Sequence, residues 1–135
     1  MHFFSISDFS FKLLRRITPG HYTFIFESTK QIAKAIKASK TDKEVGLRFV
    51  PSYLVEKLLE KLDDNVISTN IPKAEIGISE DEELYSYQIE DSQINHMISL
   101  IIDPGEIDFE GPSTVVSLIN DDIDIIREGS GSISF

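Results

Sequence analysis

Thr18-Pro19-Gly20-His21-Tyr22-Thr23-Phe24-Ile25-Phe26 reads as a stop followed at once by a strand. Proline cannot continue a helix and glycine accepts turn dihedrals, so Thr18-Pro19-Gly20 closes whatever helix precedes it. Tyr22 to Phe26 is a run of aromatic and β-branched residues, the composition of a buried strand. Working back, Phe9, Leu13, Leu14 and Ile17 fall on one helical stripe, with Ser7 placed to cap it, so a helix is predicted over Asp8 to Ile17.

Working forward, Thr29 to Ser39 reads as a short basic helix with Ile32, Ala33 and Ile36 inward, and Glu44 to Val50 as a second strand. Pro51 suits a first helical turn, and Leu54, Val55, Leu58, Leu59 and Leu62 line one face of the helix after it. Asp63-Asp64-Asn65 turns the chain into a short strand, Val66 to Thr69. Residues 70 to 79 read as a loop. A helix is predicted over Glu80 to Met97, with Glu80 to Glu83 complementing its dipole, followed by a buried strand from Ile98 to Ile102. After an acidic loop from Asp103 to Pro112, Thr114 to Leu118 and Ile123 to Arg127 are expected to pair as a hairpin across Ile119 to Asp122. Gly129 to Ser134 reads as a loose tail. Strands alternating with helices and closed by a hairpin argue an α/β or α+β fold with a mixed sheet and flanking helices.

Composition bounds the chemistry. The chain has 135 residues, a length that suits one domain. It contains no cysteine, which excludes disulfides, thiolate metal sites and cysteine nucleophiles. No apolar run approaches the 20 or so residues of a membrane span, and no basic start leads into a long apolar stretch, so a cytoplasmic chain with no membrane contact is expected. Charge is uneven. Residues 1 to 73 carry 12 Lys/Arg and 8 Asp/Glu, whereas residues 74 to 135 carry 15 acids and a single cation, Arg127. Such an acidic half repels phosphate backbones. Lys30, Lys34, Lys37, Lys40 and Lys43 recur at helical spacing, but no aromatic is interleaved, so a solvated face is the simpler reading. His2, His21 and His96 lack the spacing of a metal site. Asp121, Asp122 and Asp124 read as a solvated turn. No glycine-rich phosphate loop occurs.

Five segments, in order, resemble the threonylcarbamoyl-AMP synthase family with its YrdC-like and YciO-like branches. They are Pro19-Gly20-His21-Tyr22-Thr23-Phe24-Ile25, Val45-Gly46-Leu47-Arg48-Phe49, Ser68-Thr69-Asn70, Gly111-Pro112-Ser113-Thr114-Val115-Val116 and Ile126-Arg127-Glu128-Gly129. The resemblance covers nearly the whole chain and implies an enzyme family that joins threonine, bicarbonate and ATP into the donor for a tRNA adenosine modification. It implies substrate-binding roles for Arg48, Ser68 and Ser113, with Arg48 on the threonine carboxylate. Asn70 and Arg127 would face the nucleotide, Arg127 as a cation for phosphate. ATP and threonine are the implied ligands, with no resident cofactor, metal or catalytic side chain.

This chain departs from the family at Val50, Asn70 and Pro72, and its first residues lie one helix before the Pro-Gly-x-Tyr-Thr segment. The family's Tyr-Pro-Thr-Asp-Thr-like strand and Lys-x-Arg segment are not matched. A single truncated domain over residues 1 to 135 is therefore expected, corresponding to the C-terminal portion of the family domain and non-catalytic alone. A synthase subunit completed by another chain and an RNA-binding module stand as alternatives. Phe3, Phe4, Phe9 and Phe11 are apolar enough to bury against a second copy, which makes a homodimer the expected association.

Overall fold

The computed structural model describes residues 6–35 and 43–135. Among them lies a mixed α+β arrangement of four strands and five helices. The chain divides into two compact units, one running up to Asn65 and resuming at Phe109–Phe135, the other Val66–Asp108.

In the first unit, α1 spans Asp8–Ile17 and begins where the sequence predicts, with Ser7 Oγ accepting from Ser10 N at 3.1 Å. Thr18 ends it, donating its backbone N–H and its hydroxyl to Leu14 O. Strand β1 is Tyr22–Glu27, α2 is Lys30–Ala35, β2 is Glu44–Leu47 and α3 is Tyr53–Leu62. Strands β3, Thr114–Ser117, and β4, Asp124–Arg127, complete a sheet of order β2-β1-β3-β4. The β1–β2 and β3–β4 pairs are antiparallel, and the central β1–β3 pair is parallel with Tyr22 opposite Thr114.

One face of this sheet is the core. Tyr22, Phe24 and Phe26 from β1 and Val116 with Leu118 from β3 pack with Leu13 and Leu14 of α1. Phe24, Val116 and Thr114 are completely buried. The alternation is what a strand buried on one side requires. Of the predicted α1 stripe, Phe9 is exposed, because only the Leu13–Leu14 side meets the sheet.

Several expectations are corrected here. Strand β2 ends at Leu47 rather than Val50. Pro51 precedes the α3 helix instead of entering it; Ser52 is the cap, accepting from Val55 N at 3.4 Å. The leucine face of α3 exists but none of its residues is fully buried. Residues 129–134 are not a loose tail. Gly131 is buried, and Tyr22 Oη donates to Ser132 O at 2.8 Å. The predicted hairpin forms, its turn carrying Asn120 and Asp121 at positive φ, with Asp122 Oδ1 accepting from Ile123 N. Residues 36–39 of the predicted basic helix, Phe3, Phe4, Lys37 and Lys40 lie outside the described residues.

The second unit differs most from expectation. Val66–Thr69 forms no strand, and the stretch read as a loop contains a short helix, α4, Lys73–Ile76. The predicted helix over 80–97 is reduced to α5, Ser86–Glu90, and a 3₁₀ turn at Asn95–Met97. Local hydrogen bonding explains the break. Glu82 accepts from the backbone N–H and hydroxyl of Ser79, and Lys73 Nζ donates to the carbonyls of Glu80 and Glu82. Acidic side chains so engaged fold the 79–83 segment into a turn instead of a first helical turn. Ile98–Ile102 is neither a strand nor buried, with Leu100 75% exposed. Among the described residues no helix is long and apolar enough to cross a membrane.

Candidate functional site

The face of the sheet opposite α1 is only half-buried. The alternation that sends Tyr22, Phe24, Thr114 and Val116 into the core sends His21, Thr23, Ser113 and Val115 to this side. Parallel pairing of β1 with β3 brings their entry segments level, and Thr114 N donates to His21 O at 2.9 Å. Thr23 Oγ1 and Ser113 Oγ are 2.8 Å apart, in hydrogen-bond contact.

Arg127, at the end of β4, reaches the same point. Its Nη2 donates to Ser113 O at 2.8 Å and to Ser113 Oγ at 3.3 Å, and its Nε donates to Ser113 O at 3.1 Å. Arg127 is exposed, and among the described residues no carboxylate pairs with it. The cluster rests on a rigid floor. Thr114 Oγ1, fully buried, donates to Gly131 O at 2.6 Å and accepts from Gly129 N at 2.9 Å. The N–H and hydroxyl of Ser130 both donate to Pro112 O. Gly129 has to be glycine: a Cβ there would lie 2.6 Å from the Ser113 carbonyl carbon. This close approach holds the chain after β4 against the entry of β3.

At the rim, His21 Nε2 meets Glu110 Oε2 at 2.7 Å, with side chains 37% and 65% exposed. This pair ties the acidic loop before β3 to the start of β1. Sequence reading passed over Thr23 and the His21–Glu110 pair. The signal for Thr23 was available, since a hydroxyl between aromatic residues in a strand marks the polar side. Glu110 carried none.

Of the residues predicted from the resemblance, Ser113 and Arg127 are joined directly. Arg48 is exposed just past β2. Gly46, two residues before it, lies on the Thr23 side, since a Cβ there would meet Thr23 Cγ2 at 3.4 Å. Among the described residues Arg48 makes no ion pair. Ser68 and Asn70 belong to the second unit, both exposed in an irregular stretch where Thr69 Oγ1 donates to Asn70 O at 3.4 Å.

Shifted carboxyls also lie in that second unit. The Ser79 hydroxyl and then its backbone N–H hold Glu82 below the usual carboxylate range. The Gly105 N–H, with the Ser86 hydroxyl second, does the same for Asp103. Tyr85 is pushed up by its hydrogen bond to Glu83. All three follow from local hydrogen bonds at the surface.

The chain matches the Sua5/YciO/YrdC family model, described as telomere recombination, over residues 2–129. It is similar to YciO of Escherichia coli K12, with 30% identity over 130 residues, covering 95% of this chain and 59% of that protein. A Haemophilus influenzae protein is 34% identical over 129 residues, covering 94% and 59%. The crystal structure of E. coli YciO superposes with a TM-score of 0.71 at 32% identity, covering 96% of this chain and 60% of that one. The chain thus spans about 59% of the length of these relatives. The match over almost every residue, with the Ser113–Arg127 cluster inside it, establishes that the chain belongs to the Sua5/YciO/YrdC family.

Proposed function

We propose that the half-open face around Ser113 binds an anionic ligand of the synthase type, ATP or threonine, and that the chain alone does not form threonylcarbamoyl-AMP. One observation carries this reading. Arg127 is the sole cation among residues 74 to 135, yet among the described residues it pairs with none of the 15 carboxylates of that stretch. Its Nε and Nη2 are held by Ser113, and among the described residues no acceptor takes up Nη1. A guanidinium kept clear of carboxylates, with two hydroxyls beside it, suits a phosphate or carboxylate from solution. In this reading Ser113 and Thr23 add hydroxyl contacts. Arg48 serves the amino acid, as the family resemblance suggests.

Synthesis is a separate demand. Adenylyl chemistry is carried by several fixed positive charges around the phosphates, each worth roughly 3–4 kcal/mol of transition-state stabilisation when preorganised. The Ser113 cluster supplies one. One further reading, resting on the family match over residues 2–129, is a tRNA-modifying synthase completed by a second polypeptide. RNA contact would rest on the cationic balance of residues 1 to 73 alone.

Calorimetric titration with ATP and with threonine tests the proposal. Binding of either that is lost in Arg127→Ala is expected, together with no pyrophosphate release from threonine, bicarbonate and ATP. Undiminished binding by the variant would overturn the site, and substrate-dependent pyrophosphate release would overturn the non-catalytic reading.

A further inference from the structure

The outer edge of β2 is open, and its sequence is self-complementary. Strand β2 pairs with β1 through Phe26–Val45 and Phe24–Leu47, and Ser28 N donates to Lys43 O at 2.7 Å. In an antiparallel ladder alternate residues turn both backbone groups toward the same neighbour. Lys43, Val45 and Leu47 therefore face β1, and Glu44, Gly46 and Arg48 turn theirs outward. Among the described residues nothing accepts or donates there. An open edge of this kind is a template for another strand.

We propose that two copies of the chain associate through this edge, antiparallel, about a two-fold axis at Gly46, joining their sheets into one. A two-fold perpendicular to an antiparallel pair sets the axial residue opposite its own copy, whether or not that pair is hydrogen-bonded. Val45 on the axis would set Glu44 opposite Gly46, and Leu47 on the axis would set it opposite Val50, so neither gives Glu44 a countercharge. Glu44 on the axis would face a second Glu44, and Arg48 a second Arg48, and like charges directly opposed are unfavourable. Gly46 on the axis sets Glu44 opposite Arg48 of the second copy, and Arg48 opposite Glu44, while Val45 faces Leu47 twice. Glu44 and Arg48 are exposed and, among the described residues, form no ion pair within the chain. Val45 and Leu47 already pack on the core side, so their pairing extends the apolar layer across the axis. Glycine leaves the axis free of side chains. The isologous geometry closes on itself and yields a dimer, not a fibre. It differs from the contact expected at the N-terminal phenylalanines.

The dimer and the ligand reading both draw on Arg48, but association and ligand binding are measured separately. Sedimentation velocity of the intact chain at micromolar concentration is expected to give twice the 15.3 kDa chain mass. Glu44→Arg and Arg48→Glu each place like charges across the axis twice and are expected to sediment as monomers, with unchanged circular dichroism. Mixed in equal amounts, these two variants oppose arginines to glutamates at both positions, and the dimer is expected to return. High salt weakens the pairing of the wild type. A monomeric wild type, single variants that remain dimeric, or a mixture that stays monomeric would each overturn the proposal.

Discussion

Arg127 holds Ser113 by its carbonyl oxygen with two donors, Nη2 at 2.8 Å and Nε at 3.1 Å, so a cation from the last strand fixes the entry of β3. A planar fork makes this grip while leaving an edge for a ligand; an ammonium cannot. Arg127→Lys is expected to keep the fold and weaken ATP binding at least tenfold, about 1.4 kcal/mol, in a calorimetric titration.

The Thr114 hydroxyl is fully buried and has two backbone partners, Gly131 O and Gly129 N. Thr114→Val keeps the shape and strands both partners. Each buried group left unsatisfied costs about 1–3 kcal/mol. Urea denaturation is expected to show a loss of roughly 2–4 kcal/mol, with an unchanged slope.

Gly131 lies against the face of Tyr22. A Cβ would stand 2.6 Å from Tyr22 Cε1 and 2.7 Å from His21 O, and Tyr22 itself is buried among Phe24 and Phe135. The ring has nowhere to go, so Gly131→Ala is expected to destabilise by about 1–3 kcal/mol. A lowered thermal midpoint checks it. Gly105→Ala is the contrast. Its site is empty of neighbours and carries only the strain of φ +79.

Ser79→Ala is expected to raise the Glu82 pKa toward 4.5, its ordinary value, because the hydroxyl is the largest cause of its depression. A carboxyl lowered in the folded state stabilises above its unfolded value, and that stability fades as pH falls through the lower folded value. In the wild type the loss therefore comes below pH 4.5. Carboxyl-carbon NMR titration of Glu82 in both chains reads the shift directly.

The first unit was legible because its sequence signals are paired. The α1 stripe has a strand face to meet at Phe24 and Phe26, and Ser7 and Pro19 bound it at either end. The Thr114–Leu118 run has Tyr22 to Phe26 as a partner of like composition. In Val66–Asp108 the same kinds of signal mislead. Ile98 to Ile102 is as apolar as β3, but among the described residues it pairs with no strand, and it stays irregular with Leu100 in solvent. The predicted helix from Glu80 failed because Ser79 and Lys73 capture the groups that would begin it. Ser113 and Arg127 could be named from motif resemblance, but their direct bond could not. It depends on a parallel register between strands far apart in sequence, and on Gly129 letting the chain pass close. The tail was misread because alternating glycine and serine look featureless until buried Tyr22 and Thr114 are seen to need acceptors.

The parallel pairing of β1 with β3 also sets a timetable. Thr23 and Ser113, in contact in the finished sheet, are separated by 90 positions in the chain. During synthesis β1 emerges with α1 ready to cover one side and β2 soon available at one edge. Its other edge must wait for the whole of the intervening Val66–Asp108 unit to be made. Throughout that interval a ribosome-bound intermediate presents the aromatic and β-branched run Tyr22 to Phe26 with a vacant flank. The chain's yield in the cell should therefore depend on translation speed and chaperone supply between β2 and β3 more than on the stability of the completed fold.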